Sequence, residues 1–144
     1  MKWSLDDSRF ATASGDKSTR ISSVETQKIL QLLQTHNSSV KCIAWDPSHR
    51  DILSTGSRDG QICVWDLRTA GSPAGIGEGI QALRPVITIQ DAHGQVKSNG
   101  GRRKLVPLPR SVTSILYADT RPHALTSSGS FDGYVIITCT DLVC

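Results

Sequence analysis

The sequence predicts an all-β fold, built from about three copies of one four-stranded unit. Three observations carry that expectation. Segments "FATASGDKSTRISSVET" from Phe10, "LSTGSRDGQICVWDLR" from Leu53 and "LTSSGSFDGYVIITCT" from Leu125 each place small residues before an Asp and alternating apolar residues after it. The aspartates of the first two, Asp16 and Asp59, lie 43 residues apart, the period of a four-stranded propeller blade. With 12 Gly and 5% aromatic residues, the composition suits turn-rich strands rather than helices.

The first strand of each unit is read from "KWSLDDSRF" at Lys2, "VKCIAWDPSHRDIL" at Val40 and "VTSILYADTRPHAL" at Val112, each a β-branched or aromatic run with a polar break. Trp3, Trp45 and Tyr117 fall on the same position of this strand. The second and third strands flank the turn aspartates Asp16, Asp59 and Asp132. A fourth comes from "KILQLL" at Lys28 and "RPVITIQ" at Arg84. The first of these has a composition compatible with helix, and the repeat context decides for strand. Within the middle unit, period-two alternation puts Ile62, Val64 and Asp66 on one face and Cys63 and Trp65 on the other. Apolar residues on both faces are expected of a blade packed between two neighbours.

From Asp59 to Asp132 is 73 residues, and two inserts account for the excess. "TAGSPAGIGEGIQAL", residues 69–83, is Gly-rich, and "KSNGGRRKLVPLPR", residues 97–110, is basic and Pro-containing; both have loop composition. The expected organisation is one partial domain over residues 1–144: a blade at 1–35 incomplete at its N-terminal side, an intact blade at 36–92, and a third at 93–144 that is truncated or divergent after about Ile137. A closed ring of seven such blades takes roughly 300 residues, so this is a partial β-propeller, expected to be marginal in isolation because its end blades present uncovered apolar faces and strand edges.

Composition excludes several classes. A net charge of +3 with dispersed cations does not by itself argue for nucleic acid. No apolar run approaches the roughly 20 residues of a membrane helix, and "MKWSLDDSRF" has no hydrophobic signal core, so no membrane association is expected. Without a secretory route the "NSS" at Asn37 carries no weight as a glycosylation site. Cys42, Cys63, Cys139 and Cys144 have no C-x-x-C spacing and read as reduced thiols.

No catalytic constellation, cofactor or metal is expected. "SGDKST" from Ser14 lacks the leading glycine and following helix of a phosphate loop, and "GIGEGI" from Gly75 lacks the strand and helix of a dinucleotide site. There is no G-x-S-x-G elbow, and His36, His49, His93 and His123 show no ligand spacing. No small-molecule substrate is implied.

The middle unit resembles a WD40 repeat, with His36 at its start, Ser57, Asp59 and Gly60 at the strand turn, and Trp65 and Asp66 at the end of the third strand. In that family a His, a Ser or Thr, the turn Asp and the Trp hydrogen-bond in series. The resemblance carries this to His36, Asp59 and Trp65, with Thr55 or Ser57 as the hydroxyl.

Taken together, "VKCIAWDPSHRDILSTGSRDGQICVWDLR", "LRPVITIQDAHG", the basic insert and "SVTSILYADTRPHALTSSGSFDG" are similar to the denticleless-type WD40 proteins, substrate receptors of the cullin-4 RING ubiquitin ligase. The resemblance implies a non-enzymatic interaction module that docks on the ligase's β-propeller adaptor protein through a Trp-Asp-any-Arg motif, here Trp65, Asp66, Leu67 and Arg68. It further implies a nuclear protein presenting degron-bearing replication substrates with the sliding clamp for ubiquitination, in cell-cycle control. Two other readings stand beside it: a generic WD40 scaffold in which Arg68 is simply solvated, and an inactive truncated product. Arg102, Arg103 and Lys104 are either a solvated loop tip or a salt-dependent contact with DNA phosphates or an acidic partner.

Overall fold

The computed structural model describes residues 1–75, 79–96, 108–117, 124–129 and 135–138, and every regular element among them is a strand. The first blade consists of β1 (Lys2–Trp3), β2 (Arg9–Ala13), β3 (Thr19–Ser23) and β4 (Ile29–Leu33), paired antiparallel in chain order. The second begins with β5 (Val40–Trp45), β6 (Ile52–Ser57) and β7 (Ile62–Asp66). Between its third and fourth strands the chain makes β8 (Ser72–Pro73) and β9 (Gln81–Leu83), and β10 (Ile87–Ile89) then completes the blade against β7. A short ribbon of β11 (Gln95–Val96) and β12 (Leu108–Pro109) precedes β13 (Val112–Tyr117), β14 (Ala124–Gly129) and β15 (Val135–Thr138) of the third blade. The chain is thus a partial β-propeller whose sheets do not close into a ring.

Register bears on the repeat. Trp3 pairs with Phe10, Trp45 with Leu53 and Tyr117 with Leu125, so the three aromatic residues do occupy one equivalent position at the end of a first strand. Turn chemistry repeats with it. Asp16 accepts the Ser18 backbone N–H at 2.9 Å, and Asp59 accepts that of Gln61 at 3.0 Å, the same two-residue side-chain turn closing both β2–β3 and β6–β7. On the opposite end, Asp6 accepts the Ser8 N–H at 3.2 Å and Asp46 the Ser48 N–H at 2.7 Å after their respective first strands.

The two faces of the middle blade build two cores. Cys63 and Trp65, with Ile43 and Leu53, pack against Ala11, Ile21 and Leu33 of the first blade. Ile62 and Val64, with Ala44 and Ile52, pack against Val112 and Ile115 of the third. Burying an aliphatic side chain of this size contributes about 1.5–3 kcal/mol, so the alternation read in β7 fixes which neighbour each residue stabilises. Blade packing at this second core is close. A Cβ on Gly56 would stand 2.6 Å from Val112 Cγ1 and 2.7 Å from Cys42 Sγ, which only glycine avoids.

Both inserts depart in part from the loop expectation. Within 69–83, β9 pairs parallel with β4 (Gln31 to Gln81, Leu32 to Ala82, Leu33 to Leu83), and β8 pairs with β9, giving a six-stranded sheet. Composition pointed to a loop, but the outer edge of β4 offers unpaired backbone groups that a short segment satisfies by adding to it. At the basic insert, Leu108 and Pro109 pair with Val96 and Gln95, so the C-terminal end of the insert forms a ribbon with the residues just before it. Residues 97–107, including Arg102, Arg103 and Lys104, lie outside the described residues, as do Asp132, His123, Cys139, Cys144 and the chain after Thr138. Cys42 and Cys63 are free thiols, and burial pushes both up to about 11. No helix of the described residues is long and apolar enough to cross a membrane.

Candidate functional site

Two arrangements in the middle blade carry the residues singled out from sequence. The first is a buried hydrogen-bond chain. The Trp65 indole Nε1–H donates to Thr55 Oγ1 at 2.9 Å, and Thr55 Oγ1 lies 2.8 Å from His36 Nε2. With Trp65 already donating to it, the Thr55 hydroxyl keeps one proton, and giving that proton to Nε2 assigns the neutral His36 tautomer with its hydrogen on Nδ1. That Nδ1 faces Asp59 Oδ2 at 3.5 Å, too long for a strong hydrogen bond and best described as an electrostatic contact. Burial pulls the His36 pKa below its ordinary value, and the Asp59 carboxylate opposes the shift without overcoming it.

Thr55 is therefore the hydroxyl of the chain, and Ser57 stands outside it. Ser57 Oγ donates to the Ser38 carbonyl at 3.1 Å and accepts the Asp59 N–H at 3.2 Å, tying the β6–β7 turn to the chain entering β5. Asp59 also accepts the Asn37 N–H at 2.6 Å. The arrangement ties β6 and β7, their turn and the segment that leads into β5 together through one deeply buried tryptophan.

The second arrangement is exposed. The Arg68 guanidinium folds back on Asp66, with Nε 2.9 Å from Oδ1 and Nη2 2.7 Å from Oδ2, while the Arg68 backbone N–H donates to Oδ1 at 2.9 Å. Hydrogen bonds from Arg68 hold the Asp66 carboxyl below the usual carboxylate range, and the pairing raises Arg68 in turn. The Arg68 side chain stays 57% exposed. Asp66 occupies the Nε and Nη2 edge, so a partner would meet the Nη1 edge of a guanidinium held in one orientation.

What holds this corner is Leu67. Its side chain is buried, its N–H donates to the Asp51 carbonyl at 2.9 Å, and its carbonyl accepts the Gln31 side-chain amide of the first blade at 2.8 Å. Thr69 Oγ1 donates to the Asp66 carbonyl at 2.7 Å and closes the turn. The corner is thus fixed to two blades before any partner arrives.

A neighbouring cluster was not visible in the sequence. Arg9 of the first blade pairs with Asp51 at 2.7 Å, bonds the Arg50 carbonyl at 3.1 Å and lies with its guanidinium 5.9 Å from the centre of the Trp45 ring. The Trp45 Nε1–H donates to the Lys2 carbonyl at 3.2 Å. Arg9 and Asp51 are 42 residues apart, about one repeat, and that spacing was the only available signal.

Comparison with known proteins bears on the fold and the repeat. Residues 27–66 match the family described as "WD domain, G-beta repeat". The chain is 31% identical over 147 residues to the denticleless protein homolog of Gallus gallus and 32% identical over 133 residues to that of Danio rerio, covering 94% and 88% of this chain and 19% of each relative. It is also 32% identical over 135 residues to the cell division cycle protein cdt2 of Schizosaccharomyces pombe, covering 87% of this chain and 26% of that protein. The chain therefore spans about a fifth to a quarter of the length of these relatives. Among solved structures, the β-propeller domain of Myceliophteria thermophila Cps50 (Swd1) superposes with a TM-score of 0.69 at 12% identity, over 97% of this chain and 35% of that one. A chain of the mitotic checkpoint complex superposes with a TM-score of 0.66 at 20% identity, over 96% of this chain and 35% of that one. The chain thus carries a WD40 repeat and, along nearly its whole length, is similar to proteins of the denticleless type.

Proposed function

We propose that this chain forms part of a non-enzymatic substrate receptor of a cullin-4 ubiquitin ligase, docking on the ligase's β-propeller adaptor through Trp65, Asp66 and Arg68. The observation that supports this reading is the Arg68 fork itself, exposed yet held in one orientation by Asp66 on a corner that Leu67 anchors to two blades. Pre-setting the guanidinium lowers the ordering cost of binding a carbonyl or carboxylate. In this reading Trp65 supports the corner from the core and makes no contact with the partner.

The receptor would act in the nucleus on replication substrates that carry a degron and are presented with the sliding clamp, directing them to degradation. The basic run Arg102, Arg103 and Lys104 is assigned a weak, salt-dependent contact with DNA in the same setting. A generic scaffold role has one observation in its favour: Asp66 already satisfies half of the Arg68 fork, so the pair is stable without a partner.

Arg68→Ala decides between them. In pull-down with the purified adaptor, the receptor reading expects at least tenfold weaker capture with unchanged thermal stability, since the side chain is exposed. Capture unaltered by the substitution removes Arg68 from docking and leaves the scaffold reading.

A further inference from the structure

The equivalent aromatic residues Trp3, Trp45 and Tyr117 end three first strands, and β5 packs between β1 and β13. At that end lies a cavity of about 270 Å³ lined by Trp3, Trp45, Pro47, Tyr117 and Lys2, among others. A second cavity, of about 190 Å³, continues along the same strands past Lys2, Lys41, Cys42, Ser114 and Leu116. The first lies at the end of the blades that carries Arg68, because Trp45 pairs through Leu53 with Trp65, and Asp66 and Leu67 follow directly; the second runs from there toward the start of β5, at Lys41 and Cys42.

Their chemistry is one-sided. Leu116 is 58% exposed and Trp3 50%, large apolar surface left facing solvent inside a concave wall. Among the described residues, the charged side chains lining the two cavities are Lys2 and Lys41, both exposed. Four carboxylates near the first cavity are already engaged within the chain: Asp6 by Ser4 and Ser8, Asp46 by the Ser48 and His49 N–H groups, Asp51 by Arg9 and Asp66 by Arg68. The indole N–H of Trp45 is taken by the Lys2 carbonyl and the Tyr117 hydroxyl by Ser54, at 3.2 and 2.7 Å, so these two walls present carbon faces rather than hydrogen-bonding groups.

We infer that this cavity pair is a peptide-docking site for a partner segment carrying an apolar or aromatic side chain flanked by carboxylates. The apolar side chain seats between Trp3, Trp45 and Tyr117, and the carboxylates meet Lys2 and Lys41. This goes beyond the adaptor-docking reading, since it stands on the cavities and their lining and does not require Arg68.

The test uses the whole chain and three fluorescein-labelled hexapeptides: a central Phe-Leu pair flanked by glutamates, the same pair flanked by lysines, and a Gly-Gly centre flanked by glutamates. Anisotropy at low salt should show saturable binding of the first peptide only. The double substitution Lys2→Glu with Lys41→Glu should weaken it at least tenfold, and Leu116→Gln should weaken it severalfold with the lysines intact. Both sets change exposed side chains, and circular dichroism and melting checks that the blades persist. Arg68→Ala should leave peptide binding unchanged, which separates this site from the adaptor reading. Absence of binding at millimolar peptide, equal or tighter binding of the lysine-flanked or glycine-centred peptide, or affinity indifferent to both sets of substitutions would overturn the assignment. So would concentration-dependent self-association abolished by the lysine substitutions, which would make a second copy of the chain the occupant.

Discussion

Lys17 holds, at φ +74°, the backbone position that Gly60 holds at φ +78° one repeat later. Each follows the turn aspartate of its blade, Asp16 or Asp59, whose carboxylate accepts the N–H two residues on. The turn demands a left-handed residue, and the first blade meets that demand with a side chain that resists it.

Lys17→Gly should therefore stabilise the chain. Relief of the left-handed conformation is worth about 1 kcal/mol for a residue with a Cβ, and the greater freedom of glycine in the unfolded chain returns part of it. The net expectation is a gain of about 0.5 kcal/mol in denaturant unfolding. The reverse change, Gly60→Lys, should cost considerably more, because a Cβ at Gly60 would stand 2.8 Å from Pro109 Cβ and 2.9 Å from the Arg110 carbonyl. A loss of stability on Lys17→Gly would show that the turn is not strained.

Thr55→Val keeps the shape of a fully buried residue and removes the one oxygen shared by Trp65 and His36. Two buried polar groups lose their partner at about 1–3 kcal/mol each, so a loss of roughly 2–6 kcal/mol and a fall in Tm of roughly 10 °C or more are expected. Thr55→Ser should retain most of the stability, while Ser57→Ala, outside the chain, should cost about 1 kcal/mol. Scanning calorimetry of the three variants measures the order.

Acid should weaken the middle blade. Burial depresses the His36 pKa in the folded chain, so below the ordinary histidine value of about 6.5 the unfolded chain binds a proton that the folded chain refuses. The stabilisation is complete above that value and is lost as pH falls toward the folded value. His93 is depressed in the same sense by burial and by Arg110, and adds to the effect. Thermal melts between pH 7.5 and 5 should show Tm falling; His36→Gln should start lower at pH 7.5 and fall by less. An equal slope in that variant would assign the pH dependence elsewhere.

Much of this was legible along the chain. The 43-residue period placed the strands of the first two blades and the equivalence of Trp3, Trp45 and Tyr117, because side-chain alternation and turn aspartates are local features that survive without knowledge of the neighbours. Composition failed at β8 and β9, where Gly and Ser read as loop. Those residues become strand only because the open edge of β4 is there to receive them. Nor could sequence choose between Thr55 and Ser57, since both hydroxyls lie on one face of β6 and the choice depends on where the His36 ring arrives from the preceding segment.

By itself, then, the sequence determined the repeat, its strands and the Trp-Asp-any-Arg corner, all set by patterns spanning a few residues. The tertiary structure alone decided which blade each face of β7 stabilises, how Arg9 reaches Asp51, and that apolar and cationic side chains from three repeats meet around one cavity. Those outcomes depend on the packing of segments some 40 residues or more apart, which close-packed blades fix to within fractions of an ångström and no local pattern encodes.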